Sequence, residues 1–202
     1  MSIAEKLQTI AENEQRVYEA GKQAEYDRFW DAYQKNGTEM NYQCSFAHGR
    51  FTDETYNPKY PINVLQSTTG MDMAFYNCGL TDLKVPIYAG KVKRLSQTFD
   101  TSPTLVTIPL LQIGEQCTFY NPFLNCQNLK NITIEGTIGQ TGLSFQWCPL
   151  TKASIESVIN ALSTTTTGMT ITLKKTAVNA AFTTDEWNAL VATKSNWTIT
   201  LA

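Results

Sequence analysis

The residues best equipped for chemistry are few and poorly grouped. His48 is the only histidine and stands beside Gly49-Arg50. Sites that need two histidines are excluded, and triads and most zinc centres are weakened. The cysteines are Cys44, Cys78, Cys117, Cys126 and Cys148, an odd count with no C-x-x-C pair. Neither a zinc ribbon nor a thioredoxin-type motif is present, and all five thiols are expected to be reduced. The acidic pairs Asp53-Glu54 and Asp185-Glu186 are neighbours in sequence. The second lies near a helix start, where carboxylates favour the helix dipole. Gly136, Gly139 and Gly142 in EGTIGQTG are followed by no helix, so they read as turns between coils and not as a phosphate loop. No P-loop, G-x-S-x-G, H-E-x-x-H or EF-hand pattern occurs. Asn36-Gly-Thr, Asn131-Ile-Thr and Asn196-Trp-Thr match the glycosylation pattern, which carries meaning only behind a secretory signal. This inventory points away from an enzyme and calls for no cofactor and no metal.

Binding chemistry has a better candidate. Ile108, Ile132, Ile134, Ile171, Leu173, Ile199 and Leu201 occupy alternate positions of short strands. If they point inward, a period of two turns Thr107, Thr133, Thr170, Thr172, Thr198 and Thr200 outward, with Lys84 in the corresponding place of the first repeat. Threonine on a solvated sheet satisfies strand propensity. The same row is also a neutral contact surface for a glycan or a protein, and both readings stand.

The elements that would hold this row come from an internal repeat. Phe75, Phe99, Phe123 and Phe145 are spaced 24, 24 and 22 residues apart. Three residues after each stand Cys78, Ser102, Cys126 and Cys148, all small and weakly polar. Leu80, Leu105, Leu129 and Leu150 follow, then Leu83 and Val85, Ile108 and Leu110, and Ile132 and Ile134, alternating as a strand does. The unit is F-x-x-[CS]-x-x-L-x-x-I-x-[IL]. So short a unit cannot bury its own apolar face, so consecutive units must stack on a shared core. Each adds one strand to a parallel sheet, and the phenylalanine fills the opposite side. The cysteine or serine fits a tight turn, where a buried thiol acts as a small hydrophobe.

Around the repeats the pattern changes. Residues 1–37 read as one long amphipathic helix, capped by Ser2 with Glu5 as its partner and stopped at Gly37. Ile3, Leu7, Ile10 and Val17 form a narrow seam, broken by Glu14 and Gly21, and Tyr26, Phe29, Trp30 and Tyr33 form an aromatic anchor; the helix either associates with other copies or packs on its own domain, and both readings stand. Residues 38–68 are an aromatic-rich connector without a period. Residues 69–149 hold the repeats. Residues 150–202 read as an α/β cap: a helix over 150–162, a threonine loop at 163–167, a strand over 169–173, a helix over 185–194 and a strand over 197–201. This cap is expected to continue the same parallel sheet through right-handed crossovers.

Composition sets the outer limits. The 202 residues are 42% apolar and 17% charged, with a net charge of −2. That size allows one domain plus an appendage, and the charge removes the case for nucleic acid or an anionic membrane as main partner. No run is long enough to insert in a membrane. Met1-Ser2-Ile3-Ala4-Glu5-Lys6 opens a helix and lacks the order of a signal peptide.

The unit at Phe123-Leu-Asn-Cys126-Gln-Asn-Leu129-Lys-Asn-Ile132-Thr-Ile134 resembles the BspA-type (treponemal) leucine-rich repeat. SIESVINAL, the TITL strand and the final NWTITLA look like the end of leucine-rich-repeat proteins from prophages of gut Firmicutes. The first 37 residues look like the opening helix of those proteins, which sit among tail genes. The first and last repeats are a residue short, and proline follows the strand only at Pro86 and, shifted, at Pro109. The resemblance implies an α+β fold: a short leucine-rich-repeat-like solenoid with a parallel β-sheet, a long N-terminal helix and an α/β C-terminal cap. It implies a non-enzymatic, tail-associated structural and recognition protein, located in the virion or in the cytoplasm before assembly. Its partners would be itself, as a homo-oligomer and a trimer on the pattern of tail fibres, and other virion or cell-surface proteins or a glycan. A bacterial surface adhesin-type interaction module is the alternative.

Overall fold

Parallel strands can pair only if the chain travels back between them, and the repeat supplies 24, 24 and 22 residues between successive phenylalanines for that return. The computed structural model describes residues 61–64 and 71–202, with Glu12, Asn13 and Arg16. By its contacts the chain divides into two units, Met1–Thr38 and Glu39–Ala202. In the first, Glu12, Asn13 and Arg16 are helical. The expected helix seam of Ile3, Leu7, Ile10 and Val17, the aromatic anchor and the connector before Pro61 lie outside the described residues.

The second unit is mixed α/β, with parallel sheets and few helices. Its strands are β1 (Ile62–Asn63), β2 (Ile87–Ala89), β3 (Arg94–Ser96), β4 (Thr107–Ile113), β5 (Thr118–Tyr120), β6 (Asn131–Gly136), β7 (Ser144–Phe145), β8 (Met169–Leu173) and β9 (Trp197–Leu201). Its helices are α1 (Lys152–Ala161), α2 (Lys175–Ala181) and α3 (Thr184–Ala192). Every pairing is parallel, in three sheets ordered β1-β2-β4-β6, β3-β5 and β7-β8-β9.

The core is a column of aromatic rings. Phe75, Phe99, Phe123 and Phe145 are at most 1% exposed. Their centroids are 5.1, 5.3 and 4.6 Å apart, with the rings near parallel at 8°, 4° and 22°. That separation is close to the spacing of hydrogen-bonded strands, about 4.8 Å, so the ladder between coils sets the stack. The ladder runs through non-strand backbone as well. Met73, Phe75 and Asn77 donate N–H groups to Ser96 O, Thr98 O and Asp100 O at 2.7–2.9 Å. Gln97, Phe99 and Thr101 repeat this toward Tyr120 O, Pro122 O and Leu124 O at 2.8–2.9 Å. Each of these phenylalanines is bracketed by left-handed residues: Met73 and Asn77, Gln97 and Thr101, Asn121 and Asn125, with φ between 48° and 58°. Left-handed non-glycine backbone is uphill, least so for asparagine, and the repeated bonds hold it there. The shorter last coil lacks the bracket, and Phe145 sits in β7 instead.

The small residue three places on is a rung between coils. Ser102 Oγ donates to Phe75 O (2.7 Å), Cys126 Sγ to Phe99 O (2.9 Å) and Cys148 Sγ to Phe123 O (3.9 Å). Cys78, Ser102, Cys126 and Cys148 are at most 2% exposed. Leu80, Leu105, Leu129 and Leu150 complete the layer at 3% or less.

Three expectations about strands need correction. Leu83 and Val85 are buried but form no strand; Asp82 makes an isolated bridge to Thr107, and β2 begins after Pro86. In β4 the register shifts between Ile108 and Leu111, so Leu111, not Leu110, turns inward. Pro109 has no N–H to give the ladder, and a bulge is where a strand tolerates that. The C-terminal strands do not continue the repeat sheet: β8 and β9 pair with β7. Helix α1 takes the place beside β6, where Ser154 Oγ accepts Ile132 N–H (2.9 Å) and Ser157 Oγ accepts Ile134 N–H (2.8 Å). A serine face thus supplies what a further strand would have supplied. Helix α2 was unexpected because Val178 is its one buried residue, too little for a readable stripe.

The helices are tied to one another by charge. Thr183 and Glu186 form a reciprocal cap on α3. Glu186 also accepts from Lys152 Nζ at 2.7 Å, and that ammonium lies 4.9 Å from the Phe182 ring centre. Lys194 follows α3, is 7% exposed, and donates to Asn160 O (3.0 Å) and Leu162 O at the end of α1. A cation there satisfies carbonyls the helix leaves open.

Two outcomes follow from this packing. Phe123→Ala removes the centre of the column and should cost about 3–5 kcal/mol in denaturant melts; a loss under about 1 kcal/mol would mean that the ring is not held on both faces. Hydrogen bonds from Lys152 and Thr183 lower the Glu186 carboxyl to about 2. Its unfolded value is about 4.3, so its stabilisation is complete above that pH and disappears as pH falls toward 2. The melting-temperature gap between wild type and Glu186→Gln should shrink over that window, and a pH-independent gap would refute the linkage.

Candidate functional site

A grid of hydroxyls is what the parallel register builds most clearly. Thr170 lies opposite Thr198, and Thr172 lies opposite Thr200. Alternate residues of a strand share a face, about 6.6 Å apart, and neighbouring strands lie about 4.8 Å apart. The four threonines therefore form a rectangle, with Ser144 opposite Thr172 at its margin. Thr198 and Thr200 are exposed, while Thr170 and Thr172 are half-buried. Isoleucine and leucine on the other face of β8 hold the rectangle on the core, with Ile171 0% and Leu173 1% exposed.

The other candidates of the row fall elsewhere. Thr107 and Thr133 belong to the separate sheet of β4 and β6, where Thr107 lies opposite Asn131, whose side-chain amide donates to its hydroxyl at 3.5 Å. Gln112 Nε2 donates to Glu135 Oε1 (2.9 Å) on the same pair of strands. Lys84 is exposed but sits in no strand. One continuous row is thus replaced by two patches, because α1 ends the first sheet. Ile199 and Leu201, expected to point into the core, are only half-buried, since β9 is an edge.

Titratable groups are arranged for structure. Asp72 is 6% exposed and accepts both Arg94 Nε (3.3 Å) and Nη2. Ser163 and Thr165 hydroxyls donate to Glu115 Oε1 at 3.2 and 3.4 Å, tying the threonine loop to an earlier coil. Gly136 has φ +94°, and a Cβ there would lie 2.2 Å from Ile113 O; at Gly139 it would lie 2.4 Å from Glu115 O. Backbone from two coils meets at these positions, which accounts for two glycines of EGTIGQTG. No group of three or more metal-ligating side chains occurs among the described residues. His48 and Cys44 lie outside them. No helix among them is long and apolar enough to cross a membrane.

Two shallow grooves lie away from the grid threonines. One, of about 570 Å³, lies between the start of α1 and α2 and is lined by Lys152, Lys174, Ala177 and Ala181 among others. The other, of about 320 Å³, is lined by Trp187 and Val191 of α3 and by Trp197 and Ile199 of β9. Spacing missed both grooves, because α2 was unseen and α3 buries no residue fully. It also missed Ser154 and Ser157, although their i, i+3 spacing places them on one helix face.

The thiols are chemically quiet. Burial pushes Cys117 and Cys126 up to about 12 and Cys148 well above the ordinary thiol range. Cys117, Cys126 and Cys148 form no disulfide among the described residues. An unfolded thiol ionises at about 8.5, so the native forms lack the nucleophilic thiolate near that pH. Native protein should resist iodoacetamide at these thiols, and protein unfolded without reductant should take up five labels, one per cysteine. Stability should also fall as pH rises from about 8.5 toward 12, where only the unfolded thiols ionise. Rapid native labelling at Cys126, or two missing labels after unfolding, would contradict this.

No family model, curated protein or solved structure matches the chain.

Proposed function

We propose that the chain is a non-enzymatic structural and recognition module of a phage-like tail. In this reading residues 69–202 form a short leucine-rich-repeat-like solenoid with its cap, and the helix over 1–37 assembles the copies. The observation that carries the reading is the phenylalanine column with its hydroxyl and thiol rungs. Such a column fixes successive coils rigidly, and a recognition surface works best on rigid elements. The neutral rectangle of Thr170, Thr172, Thr198 and Thr200 is the surface presented, suited by its hydroxyls to a glycan or a protein backbone. The sequence resemblance to prophage leucine-rich-repeat proteins supports the tail setting. The seam of Ile3, Leu7, Ile10 and Val17 supports assembly, with a trimer as the number the resemblance favours.

The assembly half is tested by Leu7→Glu with Ile10→Glu, which leaves the repeats unaltered. Sedimentation should show a smaller particle than wild type, with an unchanged circular dichroism spectrum. A wild-type mass would mean that the helix does not join copies. The setting is tested by the neighbouring genes: tail and baseplate genes support it, and surface-anchoring genes favour the adhesin-type alternative.

A further inference from the structure

The two ends of the sheets are finished differently. At β6 the open N–H groups are accepted by Ser154 and Ser157 of α1. At β9 no element among the described residues pairs with the outer side of the strand. Exposed edges are templates for another strand, and proteins protect them with charge, proline, bulges or a covering element. β9 is Trp197-Thr-Ile-Thr-Leu201, five residues with no charge, no proline and no shift in its register. Its apolar side is unfinished too: Ile199 and Leu201 are half-buried, whereas Ile171 and Leu173 beside them are 0% and 1% exposed. Among the described residues the layer ends at β9.

We propose that a second copy of this chain supplies that strand, its β9 pairing antiparallel with the first about a two-fold axis at Ile199. The sequence of β9 is self-complementary in that register. Trp197 faces Leu201, Thr198 faces Thr200, and Ile199 faces Ile199, so all five residues pair, apolar with apolar and hydroxyl with hydroxyl. Any odd shift would set threonine against isoleucine. A two-fold axis uses the same patch on both copies and closes the assembly at two. The absence of charge in β9 leaves nothing to repel across the axis. The groove of Trp187, Val191, Trp197 and Ile199 borders the same edge, so each copy brings apolar surface beside the new strand. The pairing also joins the two threonine rectangles into one four-strand field across the axis.

The test separates the two interfaces by using the full chain with Leu7→Glu and Ile10→Glu as its background. That protein should sediment as a dimer at micromolar concentration. Adding Thr198→Lys with Thr200→Lys, at exposed positions, sets like charges opposite each other and should give a monomer with an unchanged circular dichroism spectrum. Mixing it with the chain carrying Thr198→Glu and Thr200→Glu should restore the dimer as a heterodimer. A background protein that is already monomeric, a lysine variant that stays dimeric, or a lysine–glutamate mixture that stays unpaired would each overturn the proposal. Failure of the helix variant to change the wild-type mass bears on the helix alone, because the effect of the lysine pair is read against that same background.

Discussion

Everything in the folded unit depends on the hydrogen-bonded contact between one coil and the next. Backbone groups at a parallel interface cannot be left open inside the protein, so each coil must sit one strand spacing from its neighbour. That spacing is close to the stacking distance of aromatic rings. A phenylalanine repeated at the same place in each coil therefore forms a column without adjustment. The rungs at Ser102, Cys126 and Cys148 donate to the phenylalanine carbonyl of the repeat before their own, so the column and the ladder reinforce each other. Glycine at 136 and 139 is the counterpart on the outside, where two backbones approach too closely for any side chain.

A stack built by repetition has a problem at each end, because the last unit exposes what every other unit covers. Here the solution is local and chemical. Helix α1 lies against β6 and uses two serine hydroxyls in place of a strand. Lys194 in turn satisfies the carbonyls at the end of α1, and Trp197 Nε1 donates to Ser163 O (2.8 Å) where the threonine loop leaves that helix. The strands after α1 join β7 in a second, three-stranded sheet, and its final strand has no such cover among the described residues. The threonine rectangle and the open edge sit on that same small sheet, so the surface proposed for recognition and the edge proposed for pairing are physically continuous.

Sequence alone determined the period. Four phenylalanines in phase, each with a small residue three places on, state a repeating unit, and a repeat too short to bury itself must stack. The alternation of Met169–Leu173 and Trp197–Leu201 and the helix over Lys152–Ala161 were legible for the same reason: each is written within a few adjacent residues. What the tertiary structure decided was which partner each open backbone group found. The bulge at Pro109, the loss of a strand at Leu83, the serine face against β6 and the split of the threonine row into two patches all turn on competing donors and acceptors. Those groups lie more than twenty residues apart in sequence. Periodicity carries the rhythm of burial along one chain, but hydrogen-bond choice is made between chain segments, and only the folded arrangement brings the competitors within reach.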